Sequence, residues 1–235
     1  MNAIDRLRAA HAGAREGRHA QALDDYVWFH HHALEEEPAL RGVRLSYALA
    51  YWMELAQAHP PALDALLRIR DDKAARLAAG EEDIALFRDV EAIDATTGHR
   101  DATHALFVAI DANSHAFAGR CFDTAFATIV AARDYTLARR FLVDPEAGVR
   151  QLAERLNDDV EDARGRVEGE RRASLLGVFA RNYADEVLQA AIVLRETGEP
   201  ERAAALVDLS QRAIADEQVR AVVRTRMDAA SLPLP

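Results

Sequence analysis

Three consecutive histidines, His30, His31 and His32, could do chemistry, because imidazole binds metal ions and exchanges protons near neutral pH. Neighbouring residues of a helix point about 100° apart, so one helix cannot direct all three rings at one ion. We expect His30 to face the core and the other two histidines to lie on the opposite side, with Trp28 and Glu35. The first candidate partner-binding surface therefore comprises Trp28, His31, His32 and Glu35.

A second set of polar residues follows Gly98. On one continuous helix His104, Asp111 and His115 would fall within about 40° of one another, with Asp101 beside the same stripe. Asp111 and His115 are spaced one turn apart, which suits chelation, but His104 lies two turns from Asp111. A metal would need ligands from another helix, so we expect no metal here. We assign the four residues to a second candidate partner-binding surface.

Two charged residues occupy positions where apolar residues are expected. Arg70 interrupts a stripe of leucines, and Asp94 follows Val90 by one turn on the next helical segment. An unpaired buried charge costs several kcal/mol, so each side chain should find a partner or reach a groove. We predict that Arg70 and Asp94 form a buried ion pair, or else that both line a concave binding surface.

The sequence carries no signature of a common catalytic site. It contains no glycine-rich phosphate loop, no Gly-x-Ser-x-Gly motif and no paired cysteines at zinc-binding spacing. The single cysteine, Cys121, is predicted to be a small buried hydrophobe. We therefore expect a protein that is not an enzyme and that uses no cofactor.

Composition limits the class of partner. The 235 residues carry a net charge of −10 and are 50% apolar, which favours a folded core over disorder. The negative charge argues against nucleic acids and anionic membranes as partners. The start of the chain does not resemble a signal peptide, and a cytoplasmic location is expected. Lys73 is the one lysine in the chain, an arginine preference that we attribute to the base composition of the gene.

Frequent alanine, leucine and arginine, with Gly or Pro every ~15–20 residues, predict an all-α fold of roughly nine to eleven helices. The segment 43–58 is apolar almost all round, so we expect it to form one central helix. We predict a single domain over residues 1–235, with a candidate internal hinge near 145–172, where the chain is densely charged.

Three segments share a pattern around a turn. Gly17 and Gly198 each precede an alanine by five residues, Ala22 and Ala203, and a third version without glycine begins at Arg133. Glycine permits a tight turn between antiparallel helices, and a small alanine lets them pack closely.

This pattern resembles the tetratricopeptide-like helix–turn–helix repeat. The matching positions are Ala10, Ala22, Tyr26, Ala191 and Ala203. The resemblance covers about two units, and it implies antiparallel hairpins stacked as an α-α superhelix with an irregular centre.

Stacked hairpins of this kind leave a concave groove that binds peptides or helices of other proteins. We therefore expect a non-catalytic, cytoplasmic scaffold that binds a protein or peptide, whose identity and oligomeric state the sequence leaves open. Two alternatives remain. One is an immunity protein that inhibits a bacterial toxin, since acidity suits a basic nuclease. The other is a helical-bundle metal-dependent enzyme built around the second polar set.

Overall fold

A computed structural model describes residues 2–231, and the side chains of residues 2–229. The described residues form thirteen α-helices, one short 3₁₀ turn and no strand, which confirms the all-α prediction. In chain order the helices are α1 Ala3–Arg15, α2 His19–Glu36, α3 Arg41–Arg44, α4 Tyr47–Ala58, α5 Pro61–Ala78, α6 Ile84–Thr97, α7 Arg100–Asn113, α8 His115–Ala131, α9 Tyr135–Phe141, α10 Pro145–Arg166, α11 Gly169–Glu196, α12 Pro200–Ala213 and α13 Glu217–Ser231.

The chain divides into two compact units, with the division between Thr128 and Ile129, near the end of α8. The sequence predicts a single domain with a candidate internal hinge near 145–172. The structure has an interruption there, at 167–168 between α10 and α11, but it lies within the second unit.

Helix boundaries follow local chemistry. The side chains of Asn2, Asp83, Asp134 and Asp144 each accept a hydrogen bond from a backbone N–H in the first turn of the helix that follows. Such caps satisfy donors that the helix itself leaves without partners. The short polar residues before each apolar run thus determine where these helices begin.

The three aligned turns share one backbone geometry. Gly17, Arg133 and Gly198 all have positive φ, at 83°, 57° and 89°. After each of them, the next backbone N–H donates to the carbonyl five residues earlier, at 2.9, 3.2 and 2.8 Å respectively. This is the Schellman arrangement that ends a helix and reverses the chain. Arg133 adopts it without glycine, at a cost of about 1 kcal/mol.

A buried small residue follows each of these turns after five residues. Ala22, Ala138 and Ala203 are 1%, 0% and 7% exposed. The same spacing occurs at Gly98, where Thr103 takes the place of the alanine and is 1% exposed. Among the described residues, a turn of this kind is followed after five residues by a buried small residue at four places, and at one of them the small residue carries a hydroxyl.

The segment 43–58 is not one helix, so that prediction was wrong. The chain leaves helical geometry at Leu45 and Ser46, which separates α3 from α4 and leaves Tyr47 65% exposed. Trp52 on α4 donates a 2.8 Å hydrogen bond to the carbonyl of Ala62 and lies in the core of the first unit. Arg44, the last residue of α3, is buried just before this break.

Candidate functional site

Four polar side chains from four different helices meet in the interior of the first unit. We call them the Asp89 cluster: His30 on α2, Arg44 on α3, Lys73 on α5 and Asp89 on α6. Arg44 donates to both carboxylate oxygens of Asp89, one of them at 3.1 Å, and to the carbonyl of His30 at 3.1 Å. Lys73 donates to the same carboxylate. Asp89 is therefore the common acceptor of two cations.

Burial and charge together fix the protonation of His30. Its Nε2 lies 3.3 Å from the Arg44 guanidinium, which can only donate, so this nitrogen must accept and carries no proton. Burial first, and then the charges of Arg44 and Lys73, lower the pKa of His30 to about 3. The imidazole is therefore neutral near pH 7.

Asp89 remains ionised although its side chain is only 4% exposed. Burial acts to raise its pKa, but the hydrogen bonds and charges of Arg44 and Lys73 outweigh burial and hold the pKa below its ordinary value. The Asp89 cluster thus contains two cations, one anion and a neutral imidazole. One positive charge is left over.

A surface groove of about 450 Å³ opens between α2 and α5, directly over Lys73. Val27, Ala65 and Ile69 supply its apolar surface. We call it the α2–α5 groove. The side chain of Lys73 is 12% exposed, so it reaches from the buried Asp89 carboxylate to the groove.

Basic side chains dominate the polar lining of the α2–α5 groove. Arg68, Lys73, Arg76 and His31 line it, against one carboxylate, that of Asp72. Arg76 is paired with Glu81 at 2.6 Å, whereas Arg68 is exposed and forms no ion pair with a residue in the described part of the chain. The groove is therefore a locally positive site in a chain of net charge −10.

His31 of the first candidate surface belongs to this groove. Burial, followed by the charges of Lys73 and His32, lowers the pKa of His31 from its ordinary value. The positive charges of the groove lining are therefore those of Arg68, Lys73 and Arg76.

The other three residues of the first candidate surface lie elsewhere on α2. Trp28 is half-buried beneath Arg6, whose guanidinium carbon lies 4.2 Å from the ring centroid. His32 is exposed and its Nδ1 is 3.1 Å from Glu35. His31 thus lines the α2–α5 groove while Trp28 is covered by Arg6, and the ring of His32 lies 5.4 Å from that of Trp28 and 6.4 Å from that of His31.

The second candidate surface spans two helices, so the prediction of one continuous helix was wrong. Ser114 is extended and separates α7, which carries Asp101, His104 and Asp111, from α8, which begins at His115. His115 Nδ1 nevertheless lies 2.7 Å from Asp111. Asp101 is exposed in the first turn of α7 and His104 is half-buried two turns before Asp111.

Arg70 and Asp94, the predicted buried pair, lie in contact. Arg70 Nη1 is 3.4 Å from Asp94 Oδ1, and Thr103 donates a 2.8 Å hydrogen bond to the other carboxylate oxygen. Asp94 is fully buried and Oδ1 accepts no hydrogen bond from the described residues. Burial therefore dominates and raises the pKa of Asp94, although Thr103 and Arg70 act to lower it.

Sequence reasoning missed Arg44, Lys73 and Asp89, which come together only through the packing of α3, α5 and α6. The one available signal was Lys73 itself, a lysine kept in a chain whose other cationic side chains are arginines. Cys121 lies away from the cluster, fully buried, and burial raises the pKa of its thiol to about 11.

No group of three or more metal-binding side chains is present in the described part of the chain. No helix among residues 2–231 is both long and apolar enough to cross a membrane. Comparisons of the chain with protein-family models, with curated proteins and with solved structures found no match.

Proposed function

We propose that this protein is a non-catalytic helical scaffold that binds an acidic segment of another protein in the α2–α5 groove. The observation that carries the proposal is the basic lining of this groove within an acidic chain. A positive cleft on a negative protein attracts an acidic ligand locally, while the rest of the surface repels it.

The apolar part of the groove argues for a protein segment as the ligand. Val27, Ala65 and Ile69 offer surface that a small anion would leave in contact with water. A segment with alternating acidic and apolar side chains covers that surface and also meets Arg68 and Arg76. Burial of such apolar area contributes about 25 cal/mol per Å².

The helical architecture supports a scaffold role. Antiparallel hairpins such as α1–α2 and α11–α12, each closed by a Schellman turn, place helices side by side and leave grooves between them. Helical repeats use such grooves to bind peptides. The superhelical arrangement expected from the tetratricopeptide resemblance remains a prediction.

Fluorescence anisotropy with synthetic peptides tests this proposal. A short peptide of alternating glutamate and leucine should bind, and a peptide with glutamine in place of glutamate should bind much more weakly. Raising the salt concentration should lower the affinity for the acidic peptide, since screening reduces attraction between exposed charges. Equal affinity for the two peptides would rule out recognition by charge.

Variants locate the binding site. Arg68→Glu should lower the affinity for the acidic peptide by about three- to tenfold, because it reverses an exposed charge in the groove. Arg150→Glu is the matched control, since Arg150 is exposed on α10 in the other unit and forms no ion pair with a described residue. An equal loss in both variants would show that only the net charge matters and would refute the groove as the site.

A further inference from the structure

We propose that the ammonium group of Lys73 is a carboxylate subsite, and that one carboxylate of the bound segment completes the charge balance of the Asp89 cluster. This inference rests on the proposed function only for the identity of the ligand. The subsite itself follows from the contacts of the cluster, so the two can be tested separately.

The surplus positive charge resides on Lys73. Arg44 and Asp89 form a two-point pair through both guanidinium terminal nitrogens and both carboxylate oxygens. A bidentate pair of this kind is the geometry in which a guanidinium and a carboxylate satisfy one another. Lys73 adds a second cation to a carboxylate that is already paired. His30 is neutral and contributes no charge.

Lys73 is also the member of the cluster that a ligand can reach. The side chains of His30, Asp89 and Arg44 are 2%, 4% and 6% exposed, against 12% for Lys73. Of the four residues of the Asp89 cluster, Lys73 is the one that lines the α2–α5 groove. An ammonium group carries three N–H donors, and the contact with Asp89 uses one of them.

The size of the imbalance favours a carboxylate. One positive charge is left over, and one carboxylate neutralises it, whereas a phosphate monoester brings up to two negative charges. The donor is a compact ammonium rather than a planar guanidinium, so it can bind Asp89 on one side and a ligand on the other. We therefore infer that an acidic side chain or a chain-terminal carboxylate occupies this subsite.

The presence of a single lysine makes the subsite directly observable. Expression with lysine labelled with ¹⁵N at Nζ gives one side-chain ammonium signal, that of Lys73, and leaves its three N–H donors intact. The chemical shift of this signal should change and reach a plateau as glutarate is added, and the glutamate–leucine peptide should have the same effect. Inorganic phosphate at matched ionic strength should shift it less, and phosphate binding tighter than glutarate would overturn the carboxylate assignment.

Substitution of Lys73 should separate charge from structure. Lys73→Gln should lower the affinity for the acidic peptide by about ten- to a hundredfold, the range expected for a lost hydrogen bond between charged groups. The affinity for the glutamine peptide should not change. Lys73→Arg retains the charge and should recover part of the affinity. Arg120→Gln, an exposed cation on α8 outside the groove, is the control and should have no effect.

A second variant tests the charge balance itself. Asp89→Asn leaves the buried Arg44 and the partly exposed Lys73 without their carboxylate, so a folded variant should bind glutarate more tightly than the wild type, whereas a merely structural role predicts weaker binding. Circular dichroism determines whether this variant folds. If it does not, the labelled Lys73 signal and the Lys73 variants decide the question.

The two proposals fail differently. Peptide binding that leaves the labelled Lys73 signal unmoved overturns the subsite and retains the groove as a binding site. A saturable glutarate shift without any peptide binding supports the subsite and overturns the proposed function. An equal loss of affinity in Lys73→Gln and Arg120→Gln overturns the subsite.

Discussion

Asp89 and Asp94 lie five residues apart on α6, both are buried, and their electrostatic environments are opposite. Asp89 accepts hydrogen bonds from two cations, which hold its pKa low. Asp94 accepts one hydrogen bond from the Thr103 hydroxyl, faces Arg70 at 3.4 Å, and has a raised pKa. Since both carboxylates are buried, the number and charge of their hydrogen-bond donors decide whether each remains ionised.

Only one of the two carboxylates lies in a region with positive charge available to a ligand. The carboxylate of Asp89 is surrounded by more positive charge than it can balance, and the surplus faces the α2–α5 groove. Asp94 has fewer donors than it can use, and one of its oxygens accepts no hydrogen bond from the described residues. The first region can attract an anion, while the second serves the packing of α5, α6 and α7.

The largest effect expected from this comparison is on stability after Asp89→Asn. Removing the carboxylate leaves the buried guanidinium of Arg44 without its counter-charge, which costs about 3–5 kcal/mol of the free energy of unfolding. Urea denaturation at pH 7 measures it, with Asp72→Asn, an exposed acid of the neighbouring groove, as the control. A loss below about 1 kcal/mol would contradict the assigned role of Asp89.

A smaller loss of stability is expected when the hydroxyl of Thr103, which donates to Asp94, is removed. Thr103→Val keeps the shape of the side chain and removes the 2.8 Å hydrogen bond, which should cost about 1–3 kcal/mol. Thr103→Ser keeps the hydroxyl and should retain the contribution of the hydrogen bond. Urea denaturation of both variants measures the difference in their free energies of unfolding. Equal destabilisation by the two substitutions would show that the loss does not come from the hydroxyl.

The contact between Arg70 and Asp94 should couple the two residues by roughly 1 kcal/mol, within the range found for neighbouring polar groups. A double-mutant cycle of Arg70→Ala and Asp94→Ala, read from urea denaturation, measures this coupling. If the two losses simply add, Arg70 and Asp94 do not interact directly and the sequence-based pairing is refuted.

The smallest of the expected effects is a difference in how the stability contributions of Asp94 and Asp89 depend on pH. A raised pKa means that the folded state holds the proton of Asp94 more tightly, so its contribution falls as pH rises from the ordinary value of 3.8 through the folded-state value. Asp89 has the opposite sign: its contribution is complete above its ordinary value of 3.8 and is lost as pH falls through the lower folded-state value.

Asp94→Asn removes the first of these titrations. Its stability should decline less than that of the wild type between about pH 4 and pH 7, whereas acid-induced loss of stability below about pH 4 should remain because Asp89 is intact. Parallel urea titrations across this range test both statements. A steeper decline in Asp94→Asn would reverse the sign assigned to Asp94.

Local patterns predicted a large part of this structure. The turns at Gly17 and Gly198 and the buried alanines Ala22 and Ala203 follow from short-range geometry that five or six residues contain. The count of helices was predicted too low, because the breaks at Leu45–Ser46 and at Ser114 interrupt segments whose composition favours a continuous helix.

The candidate site was predictable only in part. His31 was identified from the sequence, whereas the position of Arg6 of α1 over the Trp28 ring was not. Arg44 and Asp89 have no common pattern in the sequence, since they are separated by 45 residues and belong to different helices. Contacts of that kind depend on how faces pack, which a helical period does not encode.

Short-range patterns in the sequence are enough to predict the all-α class, the turns at Gly17, Arg133 and Gly198 with their small residues, and the occurrence of Arg70 and Asp94 on apolar faces, since each of these is a property of one helix or one turn. Only the tertiary structure decided that Lys73 meets Asp89, and that the groove above it is basic. The physical reason is that charge balance is a property of all the side chains within a few ångströms, and four separate helices supply those of the Asp89 cluster.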